Sequence, residues 1–168
     1  MTYRRGTAPL VKVGLAQYKV GKAPMKMMTM ALGSCLGIVL FDPEARIGAM
    51  AHVMHPHQGN VRDNSNKAKF VGTAIEIMLY RMVKLGAVMG RISAKIFGGA
   101  RMFDHVVSNR GIQQIGDKNI GAARSEFKER GIPIVNESVG GSKGRTIIFD
   151  LSNGSVYVRD AYGNEEIV

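Results

Sequence analysis

The chain has 168 residues, of which 45% are hydrophobic and 21% charged, and its formal net charge is +10 at pH 7. This size is sufficient for one domain with its own core. No apolar run approaches the roughly 20 residues that cross a bilayer, the N-terminus lacks a signal-peptide apolar block, and a single cysteine cannot form an internal disulfide. We therefore expect a cytoplasmic protein with a free thiol and no membrane insertion.

The basic charge favours an acidic partner, whether nucleic acid, an anionic membrane surface or an acidic protein. Lys and Arg are scattered singly or in pairs, there is no Trp, and no segment alternates basic and aromatic residues as a surface that stacks single strands does. A solvated surface that keeps the protein soluble explains the charge equally well. We expect no nucleic-acid partner.

Residues 1–9 are predicted to form a flexible tail and residues 10–168 a single domain. The alternation of VKVGLAQYKV, residues 11–20, predicts one strand, and GKAP a turn. The methionines of MKMMTM, residues 25–30, allow two interpretations. They fill the core, or they form a pliable wall that receives part of a protein substrate.

Two short apolar runs follow, LGIVLF at 36–41 and IGAMAHVM at 47–54, separated by the turn sequence DPEAR. Their length and boundaries predict two buried strands joined as an antiparallel hairpin. In this arrangement Cys35, at the start of the first strand, faces the end of the second strand, where His52 lies.

The rest of the chain alternates helices and strands. Apolar residues at helical spacing predict a helix from about Asn66 to Leu85, ended by Gly86. SAKIF, residues 93–97, predicts a strand, and residues 104–118, without a strong period, an exposed loop. Asn119 is predicted to cap a second helix that ends at Gly131.

In this second helix we expect Ile120, Ala123 and Phe127 to face inward and Glu126 to pair with Arg130. IPIVNESV then predicts a strand, and TIIFDL with VYVR a hairpin around the Asn-Gly pair at 153–154. The fold class is therefore α+β, an α/β sandwich with two main amphipathic helices packed on mixed or antiparallel sheet layers.

Cys35 and His52 are the candidate nucleophile and base. A buried cysteine is ordinarily inert, but Cys35 follows a Gly-Ser pair that leaves space for a substrate backbone and has N–H groups for an oxyanion pocket. A thiol needs a partner that takes its proton, and His52 is the best candidate. Thr29, Ser34 or a backbone carbonyl could orient the imidazole, and spacing does not decide among them.

Two other groups of residues resemble ligand-binding motifs. His52, His55 and His57 form an HxxHxH cluster of possible zinc ligands, although Pro56 and the polar loop oppose their convergence. The glycine-rich segments GGSKGR and GGARMF lack both the P-loop Lys-Ser/Thr pair and the GxGxxG spacing, so we interpret them as turns. We therefore expect neither a metal nor an organic cofactor.

Several motifs together resemble one family. Six segments are similar, in order and spacing, to CheD, the chemoreceptor glutamine deamidase family. They are Thr29 with LGSC at 32–35, DPEARIGAMAHVMHP at 42–56, GGARMF at 98–103, IGDKNIGAA at 115–123, GIPIVNESVGG at 131–141 and GRTIIFDLSNGSVYVR at 144–159. Ala31 stands where many relatives have glycine.

The resemblance implies a sandwich similar to the catalytic domain of deamidating bacterial cytotoxins. It also implies hydrolysis of chemoreceptor glutamine side chains to glutamate, with release of ammonia and no cofactor. Cys35 would be the nucleophile, His52 the general base and acid, and Thr29 the residue that orients the imidazole. Ser34 and Phe103 would contact substrate or partner.

The implied partners are the cytoplasmic helices of chemoreceptors and, in some members, a CheC-type phosphatase, with Phe103 in the region concerned. A core role for Phe103 is an equally good interpretation. The alternative function is a non-catalytic adaptor of the same fold that binds receptors or a phosphatase through its basic surface.

Overall fold

The computed structural model describes residues 7–59, 61–102 and 110–168. Within these ranges there are ten strands and two α-helices, α1 (Val71–Lys84) and α2 (Arg110–Arg130). The strands are β1 (Leu10–Lys12), β2 (Gln17–Lys22), β3 (Lys26–Leu32), β4 (Leu36–Asp42), β5 (Ile47–Val53), β6 (Ser93–Gly98), β7 (Ile134–Val139), β8 (Arg145–Asp150), β9 (Val156–Asp160) and β10 (Glu165–Ile167).

The strands form two five-stranded sheets, one in the order β1-β3-β8-β9-β10 and the other β2-β5-β4-β6-β7. Both are mixed, since β1 pairs with β3 and β6 with β7 in parallel while their other pairs are antiparallel. Both helices pack on the second sheet. The molecule is thus a three-layer sandwich of helices, sheet and sheet, which confirms the predicted α+β class.

Two apolar clusters fill the spaces between these layers. One lies between the helices and the second sheet, and the other lies between the two sheets. Every residue of β4 and β5 is buried, because these central strands contribute to both clusters. This explains why both strands read as continuous apolar runs rather than as an alternating pattern. Their antiparallel pairing confirms the predicted hairpin.

The single strand predicted over residues 11–20 is wrong, because the chain forms β1 in one sheet and β2 in the other. Between them Ala16 has a positive φ of 53°, and the Gly14 N–H donates to Gln17 Oε1. A residue in the left-handed region interrupts an extended chain, so the apparent alternation spans a crossing from one sheet to the other.

The loop predicted over residues 104–118 and the cap at Asn119 are also corrected. The helix α2 begins at Arg110, so Asn119 lies in its middle, while residues 103–109 are outside the described part of the chain. The early part of α2 lacks an apolar stripe because Gly116 packs directly on the backbone of residues 99 and 100. A Cβ there would lie 2.7 Å from the Gly99 carbonyl oxygen.

The other helix predictions are confirmed within small shifts. Asn66 caps a short 3₁₀ turn, Lys67–Lys69, and α1 itself starts at Val71. In α2 the three expected residues are buried and Glu126 pairs with Arg130. The hairpin of β8 and β9 is confirmed. Among the helices that the structure describes, none has the length and apolar composition needed to span a membrane.

Candidate active site

A hydrogen bond joins the two sheets at the site predicted from the sequence. Thr29 Oγ1 on β3 lies 2.8 Å from His52 Nδ1 on β5, and both side chains are buried. The sequence left Thr29, Ser34 and a backbone carbonyl as alternatives, and the structure places the Thr29 hydroxyl against the ring. When Nδ1 carries the proton it donates to Thr29 Oγ1, and the lone pair on Nε2 is then available.

The far nitrogen of this ring, His52 Nε2, is buried and has no hydrogen-bond partner among the described residues. An unpaired buried polar atom normally costs about 1–3 kcal/mol. Such atoms are expected where a reacting group belongs. The ring is therefore anchored at one nitrogen, with the other available for a proton transfer.

The faces of β4 and β5 indicate where Cys35 should lie relative to His52. His52 shares the inter-sheet face with Met50, two residues before it. Leu36 faces the helices, so continuing the alternation of β4 back by one residue puts Cys35 on the inter-sheet side. Gly37 pairs directly with His52, so we expect Cys35, two residues before Gly37, to be a diagonal neighbour of His52.

Cys35 lies in a bend, residues 33–35, whose three carbonyls are all anchored. The Ala100 N–H donates to the Gly33 oxygen at 2.7 Å and the Gly99 N–H to the Cys35 oxygen at 2.8 Å. Asn119 Nδ2 donates to the Ser34 oxygen at 3.0 Å. These bonds set the orientation of the bend.

The end of β6 approaches the backbone of the bend so closely that position 98 requires a glycine. Its φ is +100°, and a Cβ there would lie 2.5 Å from the carbonyl oxygen of Cys35. Any side chain would therefore push the cysteine away from its place beside β6. The GGARMF motif thus has a structural role in supporting the bend.

Burial acts on both titratable groups. It raises the pKa of the Cys35 thiol, with a partial opposing effect from the cysteine's own backbone N–H. It lowers the pKa of His52 below its ordinary value. Both shifts favour a neutral thiol beside a neutral imidazole in the resting protein. A neutral imidazole is the form that can accept a proton when the thiol attacks.

The structure also gives the positions of some of the other residues predicted to contact substrate or metal. Ser34 is half-buried, and its contact with substrate stays a prediction. Phe103 lies outside the described residues. His55 forms a β-bridge with Phe70, and their rings are 6.1 Å apart. Across residues 7–59, 61–102 and 110–168 no three His, Cys, Asp or Glu side chains are grouped to hold a metal ion.

Sequence reasoning missed Asn119 as a site residue. It is fully buried, and besides Ser34 its Nδ2 donates to the carbonyl oxygen of Met54 at 3.1 Å. A signal was present, because Asn119 shares a helix face with Ile120, Ala123 and Phe127. A polar residue on an otherwise apolar face requires a hydrogen-bonding partner.

Beside the bend is an open groove of about 570 Å³. Met30 and Met102 line it, with 40% and 48% of their surfaces exposed, and the Met102 side chain lies over Gly33. By contrast Met27 is buried in the inter-sheet core. The core interpretation therefore holds for Met27, whereas Met30 lies on the opposite, exposed face of the strand and a contact with substrate stays a prediction there.

Comparison with known proteins identifies the family of this chain. The family model described as "CheD chemotactic sensory transduction" matches residues 54–160, which is more than half of the chain. The chain belongs to the CheD family. The matched residues begin after His52 and do not include Thr29, Cys35 or His52. The family model therefore supports the fold of the matched region and gives no evidence on these three residues.

Full-length relatives agree with the assignment to CheD. A protein of Caldanaerobacter subterraneus subsp. tengcongensis is 44% identical over 150 residues, covering 89% of this chain and 92% of the relative. One from Pyrococcus abyssi is 40% identical over 157 residues, covering 94% and 95%. Both are named "Probable chemoreceptor glutamine deamidase CheD".

Among solved structures, the Neisseria meningitidis protein NMB0706, described as DUF152, has a TM-score of 0.51. The match covers 85% of the CheD-family chain and 75% of the other protein, at 9% sequence identity. At this identity the similarity supports the single-domain fold alone.

Proposed function

We propose that the chain is a cysteine-dependent protein-glutamine deamidase that acts on chemoreceptor helices, with Cys35 as nucleophile, His52 as base and acid, and Thr29 as the group that orients the ring. The observation that carries the proposal is the 2.8 Å bond between Thr29 and His52. It holds the imidazole between the sheets, on the face on which we expect the Cys35 thiol. The names of the relatives suggest the substrate.

In the first half-reaction His52 Nε2 takes the thiol proton while Sγ attacks the carbonyl carbon of the glutamine carboxamide. The new S–C bond gives a tetrahedral oxyanion. The imidazolium then protonates the departing nitrogen, the C–N bond breaks, and ammonia leaves behind a thioester. Water, deprotonated by His52, attacks the thioester and releases glutamate and the thiol.

The bend supplies donors for the oxyanion. In a trans peptide the carbonyl and the following N–H point in opposite directions. Because the Gly33 and Ser34 carbonyls are directed at Ala100 and Asn119, the N–H groups of Ser34 and Cys35 point the other way. Such fixed backbone donors stabilise developing charge without reorganisation.

The groove beside the bend suits a helical protein substrate. Met30 and Met102 have flexible, unbranched side chains that adapt to varied partners, and Arg145 and Arg159 also line the groove. Basic residues there complement a receptor helix rich in glutamate and glutamine. A CheC-type phosphatase as a further partner, with Phe103 at the contact, stays a prediction.

The test is mass spectrometry of a receptor cytoplasmic fragment incubated with the protein. Conversion of glutamine to glutamate through the thiol adds about 1 Da per site. We expect Cys35→Ser and His52→Ala to abolish the gain while circular dichroism shows the fold retained. His57→Ala, which changes an exposed histidine five residues from the site, is the matched control and should be active. Full activity of Cys35→Ser would exclude Cys35 as the nucleophile. A wild-type protein that binds the receptor without deamidating it would instead support an adaptor.

A further inference from the structure

One buried side chain connects the two segments that carry the nucleophile and the base. Asn119 on α2 donates from Nδ2 to the carbonyl oxygen of Ser34 at 3.0 Å and to that of Met54 at 3.1 Å. Ser34 directly precedes Cys35, and Met54 lies two residues after His52. The side-chain amide thus connects the residue before the bend cysteine at the start of β4 to the residue that follows the end of β5.

The first of these bonds also orients a reacting group. Ser34 and Cys35 are joined by a trans peptide, since the cis bond of the described chain is elsewhere. A planar trans peptide directs its N–H opposite to its carbonyl. By holding the Ser34 oxygen, Asn119 therefore turns the Cys35 N–H away from α2, toward the side on which the thiol would meet a substrate carbonyl.

The oxygen of the Asn119 side-chain amide shows that this arrangement has an energetic cost. Asn119 Oδ1 is buried and has no partner among the described residues. Exchanging the nitrogen and oxygen would direct Oδ1 at two carbonyl oxygens, so the two donated bonds determine the amide orientation. A purely space-filling residue at this position would be apolar and would leave no buried oxygen unpaired.

We propose that Asn119 is a positioning residue that fixes the Cys35 bend relative to His52. This inference rests on the proposed deamidase function and adds a specific role to α2 within it. Asn119 is not expected to touch the reacting atoms. Its loss should let the bend and the end of β5 separate, so that the thiol no longer meets the imidazole at the distance needed for proton transfer.

The experiment compares Asn119→Ala and Asn119→Asp with Phe127→Leu. The aspartate has the shape of asparagine but lacks both N–H donors. Phe127 is a buried residue of the same helix, so its variant matches the expected loss of thermal stability at a position away from the bend. For each protein, the melting temperature, kcat, KM and the pH profile of iodoacetamide alkylation of Cys35 are measured, with His52→Ala as reference.

We expect both Asn119 variants to lose about 100-fold in kcat, since small misplacements of reacting groups have effects of this size, with little change in KM. Their alkylation profiles should move toward that of His52→Ala, while Phe127→Leu keeps the wild-type profile. Asn119 variants that match Phe127→Leu in both kcat and alkylation would overturn the proposal.

The alkylation profile needs no receptor, so it separates the two hypotheses. If the wild-type protein fails to deamidate receptor fragments but Asn119→Ala still changes the alkylation profile as His52→Ala does, the positioning role is supported and the proposed substrate is wrong. If the wild type is active and Asn119→Ala is equally active, the positioning role is wrong and the deamidase stands.

Discussion

At the residue scale, the Thr29 hydroxyl has a narrower role than the two groups it supports. It contacts His52 Nδ1, and in the proposed mechanism it orients the ring but neither attacks the substrate nor carries its proton. We expect Thr29→Ala to lower kcat by about 10- to 100-fold, less than the full general-base contribution of about 10²- to 10⁴-fold. Steady-state deamidation kinetics check this. Thr29→Ser retains the hydroxyl and should recover most of the activity, and an unaffected Thr29→Ala would exclude the orienting role.

The buried imidazole also determines the acid limit of activity. A base works when it is deprotonated, and burial lowers the pKa of His52 below its ordinary value of 6.5. The neutral form therefore persists to lower pH than for a free histidine. We expect kcat/KM of the wild-type protein to stay level as pH falls through 6.5 and to decline only below it. A decline centred above 6.5 would contradict this, and the pH profile of kcat/KM is the measurement.

At the element scale, β3 contains an irregularity between Thr29 and the Cys35 bend. The register with β8 shifts between Thr29 and Leu32, and Ala31 there is exposed and has a φ of +58°. A left-handed alanine is strained, and glycine adopts this conformation without strain.

We expect Ala31→Gly to raise the free energy of unfolding by about 0.5–1 kcal/mol, because the relief of left-handed strain exceeds the added flexibility of the unfolded chain. Chemical denaturation measures the change. Ala94→Gly is the control, since Ala94 lies buried in β6 and is not among the residues with a positive φ, so this variant should lose stability. A loss in both variants would contradict the strain explanation.

A second element-scale feature is the buried carboxylate of Asp42, where β4 turns toward β5. It accepts hydrogen bonds from the N–H groups of Glu44, Ala45 and Val88 and from the Arg91 guanidinium. Burial by itself would raise the pKa of Asp42, but the Arg91 and backbone hydrogen bonds outweigh it and lower the pKa to about 2.

Asp42→Asn should therefore reduce the free energy of unfolding at neutral pH by about 2 kcal/mol, as expected when hydrogen bonds to a charged group are lost. The folded-state pKa is depressed, so the carboxylate contributes stability above its unfolded value of 3.8 and loses it as pH falls toward 2. Denaturation at pH 7 and below pH 3 checks this. Glu44→Gln removes the exposed partner of the same guanidinium and should change little. A pH-independent Asp42→Asn effect would contradict the linkage.

At the scale of the whole molecule, the net charge of +10 should act on encounter rather than on chemistry. If the substrate is an acidic receptor helix, added salt screens the attraction, since the Debye length falls from about 10 Å at 0.1 M to about 3 Å at 1 M. We expect kcat/KM for a receptor fragment to fall with NaCl while kcat remains constant. An uncharged glutamine peptide is the control. Equal salt effects on both substrates would rule out steering.

Several residues show how far sequence reasoning reached. The β4–β5 hairpin follows from two apolar runs with a short turn, and the sequence predicts both strands correctly because local patterns specify buried hairpins. The sequence does not predict that α2 begins before Asn119, because Gly116 packs on the backbone of residues 99 and 100 and has no apolar side chain to mark that contact. The prediction of one strand over residues 11–20 is wrong because an alternating pattern does not show where the chain passes from one sheet to the other.

The sequence by itself determined the α+β class, the nucleophile and base candidates and the resemblance to CheD, since these depend on residue types and short-range spacing. Only the tertiary structure decided that Thr29 meets the imidazole and that Asn119 holds the cysteine bend. Thr29 and His52 lie in different sheets, and Asn119 is 85 residues from Ser34. Contacts of this kind depend on how the layers pack, because no local pattern encodes the distance between two faces that meet only in the folded core.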